Sequence, residues 1–402
     1  MKFQKKEFIP LLFAGDINSY SMARAFYEEY KIKSIVCGKY YTGPSCNSKI
    51  VDYIVNLEID KEDTFLEIVN STAKQYPDKK IVLIGCADNY VALASKLKNQ
   101  FESNVVVLCV EYSLMRKLTL KESFYKLCRE YSLDIPDTFV YSEEMGEEVA
   151  HGFDYPVIVK PSDSVMYFEK KFEGQRKVYK VKSEKELLSV IDLIYSSGYS
   201  GKLILQDFIP GDDTYMYVLT GYSDRRGKVK LMALGHVLRE EHTPLGLGNH
   251  SVIINDVNEE ICRLAQNFLE SIGYVGFFNF DIKYDSRDKK YKFFEINTRQ
   301  GRSNYYVTGA GYNLARYIVD DCIYKKDIKY ILATNKKLWT VIPLVLAYMY
   351  IKEKKYREEI LSFIKSGNVV NPVFFIKDMK FLRFLRFLKT HLSHFRKMKL
   401  EL

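Results

Sequence analysis

Two rhythms of apolar and polar positions run along the chain. Over the first ~115 residues, short apolar runs alternate with stretches of helical period, the order expected of an open parallel sheet. Phe8–Phe13 is an apolar run closed by Gly15 and Asp16, and a helical pattern follows from Ser19 to Tyr30. Lys33–Cys37 and Val51–Asn56 predict two further strands, Glu62–Gln75 a helix, Ile81–Ile84 a fourth strand and Val105–Val110 a fifth; a helix begins near Asn89. Ligands of such sheets sit at the carboxyl ends of the strands, which points to Asp16 and Asp88. Either acid could equally cap the helix behind it. No GxGxxG follows the first strand, so a dinucleotide fingerprint is absent.

The pattern changes after Glu111. A helix is predicted from Lys121 to Tyr131, and Pro156–Pro161 is a strand that ends on Lys160. Ser162–Val178 is polar, carries Lys170, Lys171, Arg176 and Lys177, and reads as a mobile loop. Ser183 and Glu186 form a capping box that opens a helix to about Tyr195. Strands follow at Lys202–Phe208, Met216–Thr220, Lys228–Val237 and Ser251–Ile254, then a helix over Val257–Ile272. Beyond Gly309 the chain reads as mainly helical.

With 402 residues, 47% of them hydrophobic, the chain has ample material for a core, which excludes disorder, collagen and coiled coil. No stretch approaches the roughly 20 apolar residues of a spanning helix; the longest, Leu338–Ile351, contains Pro343. Lys2, Lys5 and Lys6 before Phe8–Ala14 resemble a signal peptide only superficially, since Pro10 interrupts the run and no cleavage pattern follows. Seven scattered cysteines without a CxxC pair predict free thiols in a reducing cytoplasm and give no zinc spacing. Of the net charge of +9, +6 falls within residues 371–402. A nearly neutral body argues against a nucleic-acid partner.

The chemistry concentrates in Phe277–Arg302. Phe278, Phe280 and Ile282 alternate with Asn279, Asp281 and Lys283; beyond a turn at Asp285–Asp288, Phe294 and Ile296 alternate with Phe293, Glu295 and Asn297. A hairpin on that turn sets Asp281 opposite Glu295 within one residue of register, with Asn297 on the same face. Two carboxylates and an amide oxygen suit a hard divalent cation such as Mg²⁺. The alternative, carboxylates facing solvent, is weakened by the aromatic flanks. Arg299 and Arg302 follow at once and suit phosphate or carboxylate clamping.

Lys160 in PVIVKP, Gln206–Asp213 (QDFIPGDD), Asp281 and Glu295–Gly301 (EINTRQG) occur in an order that resembles the ATP-grasp superfamily. The resemblance implies an α/β and α+β chain: an N-terminal parallel-sheet, Rossmann-like domain (1–115), a two-lobed ATP-grasp domain (116–330, central lobe about 130–200) and a helical, basic C-terminal region (331–402). It implies that Lys160, and more loosely Lys121, contact the ATP phosphates. Gln206 with the Asp207 and Phe208 backbone would meet adenine, Asp213 the ribose, and Asp281, Glu295 and Asn297 would hold Mg²⁺ or Mn²⁺. Arg299 or Arg302 would stand beside the reacting phosphoryl group. Gln206 replaces a common glutamate, and the loop after Lys160 lacks the glycine run of some members.

FIPLL at Phe8, Met22–Arg24, Leu234–His236 and Asn297–Ser303 narrow the likeness to the D-aspartate ligases of Gram-positive wall synthesis. That family activates a carboxyl of D-aspartate with ATP and joins it to the lysine side chain of the peptidoglycan stem peptide. Tyr217 stands where the family is expected to carry arginine, so the amino acid used could differ. Asp16, Asp88, Arg176 and His236 are candidate substrate contacts; His236 and His250 could instead be structural. An acyl phosphate formed under a closed 162–178 lid is the expected intermediate. A ligase for another amino acid, or a nucleotide-binding protein without turnover, are the alternatives. In the tail, Phe381, Leu385, Leu388, Leu392 and Phe395 form one helical stripe flanked by Lys380, Arg383, Arg386, Lys389 and Arg396. The stripe either docks on the body or meets an anionic membrane surface from the cytoplasmic side.

Overall fold

The computed structural model describes residues 7–146, 149–243, 246 and 248–399; Lys2, Lys5 and Lys6 lie outside the described residues. Strands β1 (Phe8–Phe13), β2 (Ser34–Gly38), β3 (Val51–Val55), β4 (Lys80–Gly85) and β5 (Val105–Val106) form an all-parallel sheet in the order β3-β2-β1-β4-β5. Helices α1 (Ile17–Tyr30), α2 (Glu62–Gln75) and α3 (Asp88–Leu97) connect its strands. Leu11, Leu12 and Phe13 are fully buried, as a continuous apolar run in a doubly covered parallel sheet should be.

The fifth strand is shorter than expected. Residues 107–110 leave the sheet to run against the strand that begins at Gly276, where a Cβ would stand 2.6 Å from the Leu108 carbonyl oxygen. Gly276 holds φ 94°, which a residue with a side chain rarely adopts. Helices α4 (Tyr112–Thr119) and α5 (Lys121–Glu130) follow; the sequence pattern foresaw only the second.

A four-stranded antiparallel sheet comes next, β6 (Thr138–Tyr141), β7 (Val157–Pro161), β8 (Tyr179–Val181) and β9 (Leu203–Asp207), in the order β6-β9-β7-β8. Helix α6 (Ser164–Glu169) occupies the start of the expected loop, capped by Asp163. Helix α7 (Glu184–Ser196) is capped by Ser183, whose Oγ accepts from Glu186 N. The return bond of the box is displaced by one residue: Glu186 accepts from Lys182 N at 2.7 Å.

The large sheet contains β10 (Met216–Ser223), β11 (Val229–Glu240), β12 (His250–Asp256), β13 (Gly276–Asp285) and β14 (Lys290–Asn297), with the order β14-β13-β10-β11-β12 continued by two short strands. Helix α8 (Glu259–Ser271) packs on it through Ile261, Cys262, Ala265, Phe268 and Leu269, spaced for one helical face. Beyond it come α9 (Tyr305–Gly309) and α10 (Leu314–Ile318). The region after Gly309 is not purely helical: β15 (Ile331–Leu332), β16 (Leu338–Thr340) and β17 (Val369–Val370) extend the large sheet. Residues 338–351 form β16 and α11 (Leu344–Tyr350), split at Pro343; α12 (Lys354–Lys365) and α13 (Phe381–Lys399) are the last elements among the described residues. No helix among the described residues is long and apolar enough to cross a membrane. All seven cysteines are free.

Candidate active site

Lys160 is the fourth residue of β7, and its ammonium lies 5.5 Å from the Tyr125 ring centre and 5.3 Å from that of Phe294. It is buried, and burial, reinforced by the charge of Lys121, pushes its pKa down to about 7. Lys121, at the start of α5, is also buried and donates to Ser164 Oγ at 2.8 Å; burial lowers its pKa too. Neither ammonium forms an ion pair among the described residues. Buried charges are normally paired, so two unpaired cations side by side describe a seat for a polyanion.

Opposite them stands the acidic hairpin. Residues Asp281 and Glu295 are direct partners in the β13–β14 register, inside the one-residue margin of the sequence reading, and Asn279 pairs with Asn297. A bulge after Asp281 shifts the ladder by one residue beyond that point. Burial and the neighbouring Glu295 raise the Asp281 pKa, whereas Lys177, Lys121 and Lys160 outweigh burial at Glu295 and lower its pKa. The two carboxyls thus titrate as a pair. Asn297 Oδ1 lies 3.3 Å from Arg299 Nη2, and Asn297 Nδ2 reaches the Asn279 carbonyl.

Sequence reasoning missed Lys177. Of the four cations between Lys160 and β8, Lys177 turns into the cleft, where Glu295, Asp281, Glu240 and Asp88 raise its pKa, Glu295 foremost. Its Nζ lies close to Gly248: a Cβ there would be 3.1 Å away. Arg176, the candidate substrate contact, is exposed; its backbone bonds Tyr167 and Tyr179 hydroxyls instead. Arg176 and Lys177 lie in a loop before β8 that has no period, and nothing in the composition marks which one faces inward.

The arginine loop ties the hairpin to the parallel sheet. Arg299 Nη2 donates to Asp88 Oδ2 at 2.9 Å, and its Nε lies 2.8 Å from Oδ1. Asp88 is therefore an ion-pair partner in the first turn of α3 rather than a cap, the cap position being Ala87. Asp16 does cap α1, accepting from Asn18 N and Ser19 N. The residue is exposed, yet crowding of its carboxyl by protein raises its pKa against the opposing Ser19 N–H bond and the pull of Arg299 and Arg302. Behind it, Asn18 Nδ2 donates to the carbonyls of Cys86 and Gln300, while its Oδ1 accepts from Asn304 at 2.8 Å. Among the described residues, Arg302 donates only to the His250 carbonyl, at 3.4 Å.

The hinge after β9 is equally organised. Gln206 Nε2 donates to Thr138 Oγ1 at 2.8 Å, leaving its buried Oε1 without a partner. Asp207 pairs with Arg287, and the Phe208 ring lies under Lys180 Nζ at 3.6 Å. Lys283 reaches from β13 to the carbonyls of Ile209 and Gly211. Asp213 accepts from Glu240 N and His242 Nε2, both at 2.9 Å, and these bonds outweigh burial to lower its pKa.

The structure does not bring His236 to this group. Its partner across the ladder is Tyr217, next to Val218, which pairs with Asp281, so alternation puts His236 and Tyr217 on the opposite face of the sheet. Its ring stacks on Tyr217 at 4.8 Å and its Nε2 contacts the Thr214 carbonyl at 2.6 Å. His250 faces Glu240 at 3.5 Å, and burial, aided by Arg302 and Lys177, lowers its pKa to about 3, so it is neutral.

No family model matches the sequence. The chain is 40% identical over 390 residues to the D-aspartate ligase of Enterococcus faecium (strain Aus0004), spanning 93% of this chain and 92% of the relative. Among solved structures, the N5-carboxyaminoimidazole synthetase of Staphylococcus aureus with ADP is similar at TM-score 0.61 and 14% identity, covering 84% of this chain and 83% of that one. The L-amino acid ligase of Bacillus licheniformis is similar at TM-score 0.51 and 16% identity, covering 79% and 71%. These share the ATP-grasp fold. The chain belongs to the D-aspartate ligase family, as an ATP-dependent carboxylate–amine ligase.

Proposed function

We propose that this ligase activates a carboxyl of D-aspartate with ATP and couples it to an amine, with the lysine side chain of a peptidoglycan stem peptide as acceptor. The name of the Enterococcus relative supports the amino acid. The observation that carries the site is the pair of buried, unpaired ammoniums, Lys121 and Lys160, facing Asp281 and Glu295. In this reading Lys121, Lys160 and Lys177 take the triphosphate, and Gln206 with the 207–208 backbone takes the adenine. Asp213 and its neighbours border the ribose.

The donor set of Asp281, Glu295 and Asn297 is all oxygen and relieves its own like-charge repulsion when it holds Mg²⁺, with Mn²⁺ as the alternative. Such an ion supplies charge stabilisation at the transferring phosphoryl group. Arg299 and Arg302 orient the carboxylate for in-line attack on the γ-phosphorus, from which ADP leaves. The amine then attacks the acyl carbon of the acyl phosphate, a proton is lost from nitrogen, and phosphate departs with one carboxyl oxygen. Lys177 and the α6 segment, folded over the cleft, exclude water from the acyl phosphate.

Tyr217 lies on the sheet face opposite the acidic pair, so in this reading its departure from the expected arginine does not argue against D-aspartate. ADP release measured against a panel of D- and L-amino acids, with a lysine-containing stem peptide, tests the reading. D-aspartate should give the fastest peptide-dependent release; faster release with another amino acid would overturn the assignment.

A further inference from the structure

Helix α13 is amphipathic with its faces reversed. A helix that packs on its own domain normally buries the apolar stripe. Here the inward face is basic and aromatic. Arg383 is buried, with Nε 3.3 Å from Asp378 and its guanidinium 4.1 Å from the Tyr20 ring centre, and it also donates to the Pro44 carbonyl. Further along that face, Arg386 donates to the Gly43 carbonyl at 3.2 Å, Phe387 packs on Phe374, and Lys397 reaches Glu241 at 3.3 Å. The outward face carries Phe381 (74% exposed), Leu382 (62%), Leu385, Leu388, Leu392 (67%) and Phe395. A contiguous exposed apolar surface of this kind marks an interaction site.

Its surroundings define the partner. Lys377, Lys380, Lys389 and Arg396 are exposed around the stripe and form no ion pair among the described residues. The one acidic residue between 374 and 397, Asp378, is fully buried. A second copy of this chain seated on the stripe would set these cations against their own copies, with no exposed carboxylate on the helix to offset them. A sheet of anionic headgroups over an acyl interior matches both the charge and the apolar face. We propose that α13 is an in-plane anchor that seats the ligase on an anionic lipid surface, its Arg383 end locked to the body by Asp378.

Flotation or sedimentation of the full chain with phosphatidylcholine vesicles, with and without phosphatidylglycerol, tests this. The chain should bind the anionic vesicles at low salt, lose most binding in high salt, and ignore pure phosphatidylcholine. The variant K380E/K389E/R396E should bind on the order of a hundredfold more weakly, from the per-cation attraction near such a surface. L385S/L388S/L392S should also lose binding, and both variants should keep the parent melting temperature because every altered side chain is exposed. A chain that stays unbound with anionic vesicles at low salt overturns the proposal, as does equal binding by the charge-reversed variant. A lipid-free dimer broken by the leucine variant would equally overturn it, assigning the stripe to a second copy.

Discussion

Two ammonium groups buried side by side destabilise a folded chain until an anion joins them. Burial, reinforced by Lys121, pushes the Lys160 pKa down to about 7 from an ordinary 10.5. Its folded pKa is depressed, so the unfolded chain binds more protons between those two values, and nucleotide-free protein should gain stability as pH rises through that window. Lys160→Met should flatten this rise in thermal melts across pH. A bound triphosphate should restore the proton: calorimetry of a non-hydrolysable ATP analogue in buffers of different ionisation enthalpy should find uptake of about half a proton near pH 7, missing in Lys160→Met. Glu295→Gln keeps volume but removes a metal charge; ADP release should fall by at least about a hundredfold with the melting temperature preserved. These residues were legible because Lys160 ends an apolar strand and Asp281 and Glu295 alternate with aromatics. Arg176 was a worse choice than Lys177 because a loop gives no period from which to tell inward from outward.

At the scale of elements, the hairpin β13–β14 was readable to within one residue, since alternation fixes register wherever one face is buried, while the bulge after Asp281 that shifts the ladder had no local signal. Short elements were not. Helix α6 and strands β15 to β17 are held by tertiary pairing rather than by their own pattern, and residues 107–110 left the first sheet for a contact with Gly276 that no local signal announces. The 162–178 segment carries Lys171 and Arg176 exposed and Lys177 turned inward, so phosphates that hold Lys177 should order the rest. Mg-ATP should slow tryptic cleavage at Lys171 and Arg176 several-fold; equal rates with and without nucleotide would count against closure. The junction of α13 to the body is another element-scale device. Asp378 accepts from Tyr20 and Ser48 hydroxyls while facing Arg383. Removing one partner strands a buried charge, so Asp378→Ala should cost about 3–5 kcal/mol in denaturant unfolding.

Across the whole molecule, the cleft exists only because distant segments meet. Arg299 reaches Asp88 on the parallel sheet, and Asn18 ties β4's end to Gln300 and Asn304, a knot of amides with no sequence signature because its members are hundreds of residues apart. The order of motifs nevertheless announced the arrangement, since each sits at a strand end or hinge that a shared fold must bring together. The central claim is that this cleft moves the γ-phosphoryl group of ATP to the carboxyl of an amino acid before an amine attacks. D-aspartate labelled with ¹⁸O in its carboxyl groups, turned over with ATP and acceptor peptide, tests it by mass analysis of the released phosphate. Each phosphate formed with product should carry one ¹⁸O; product formed alongside unlabelled phosphate would contradict the account.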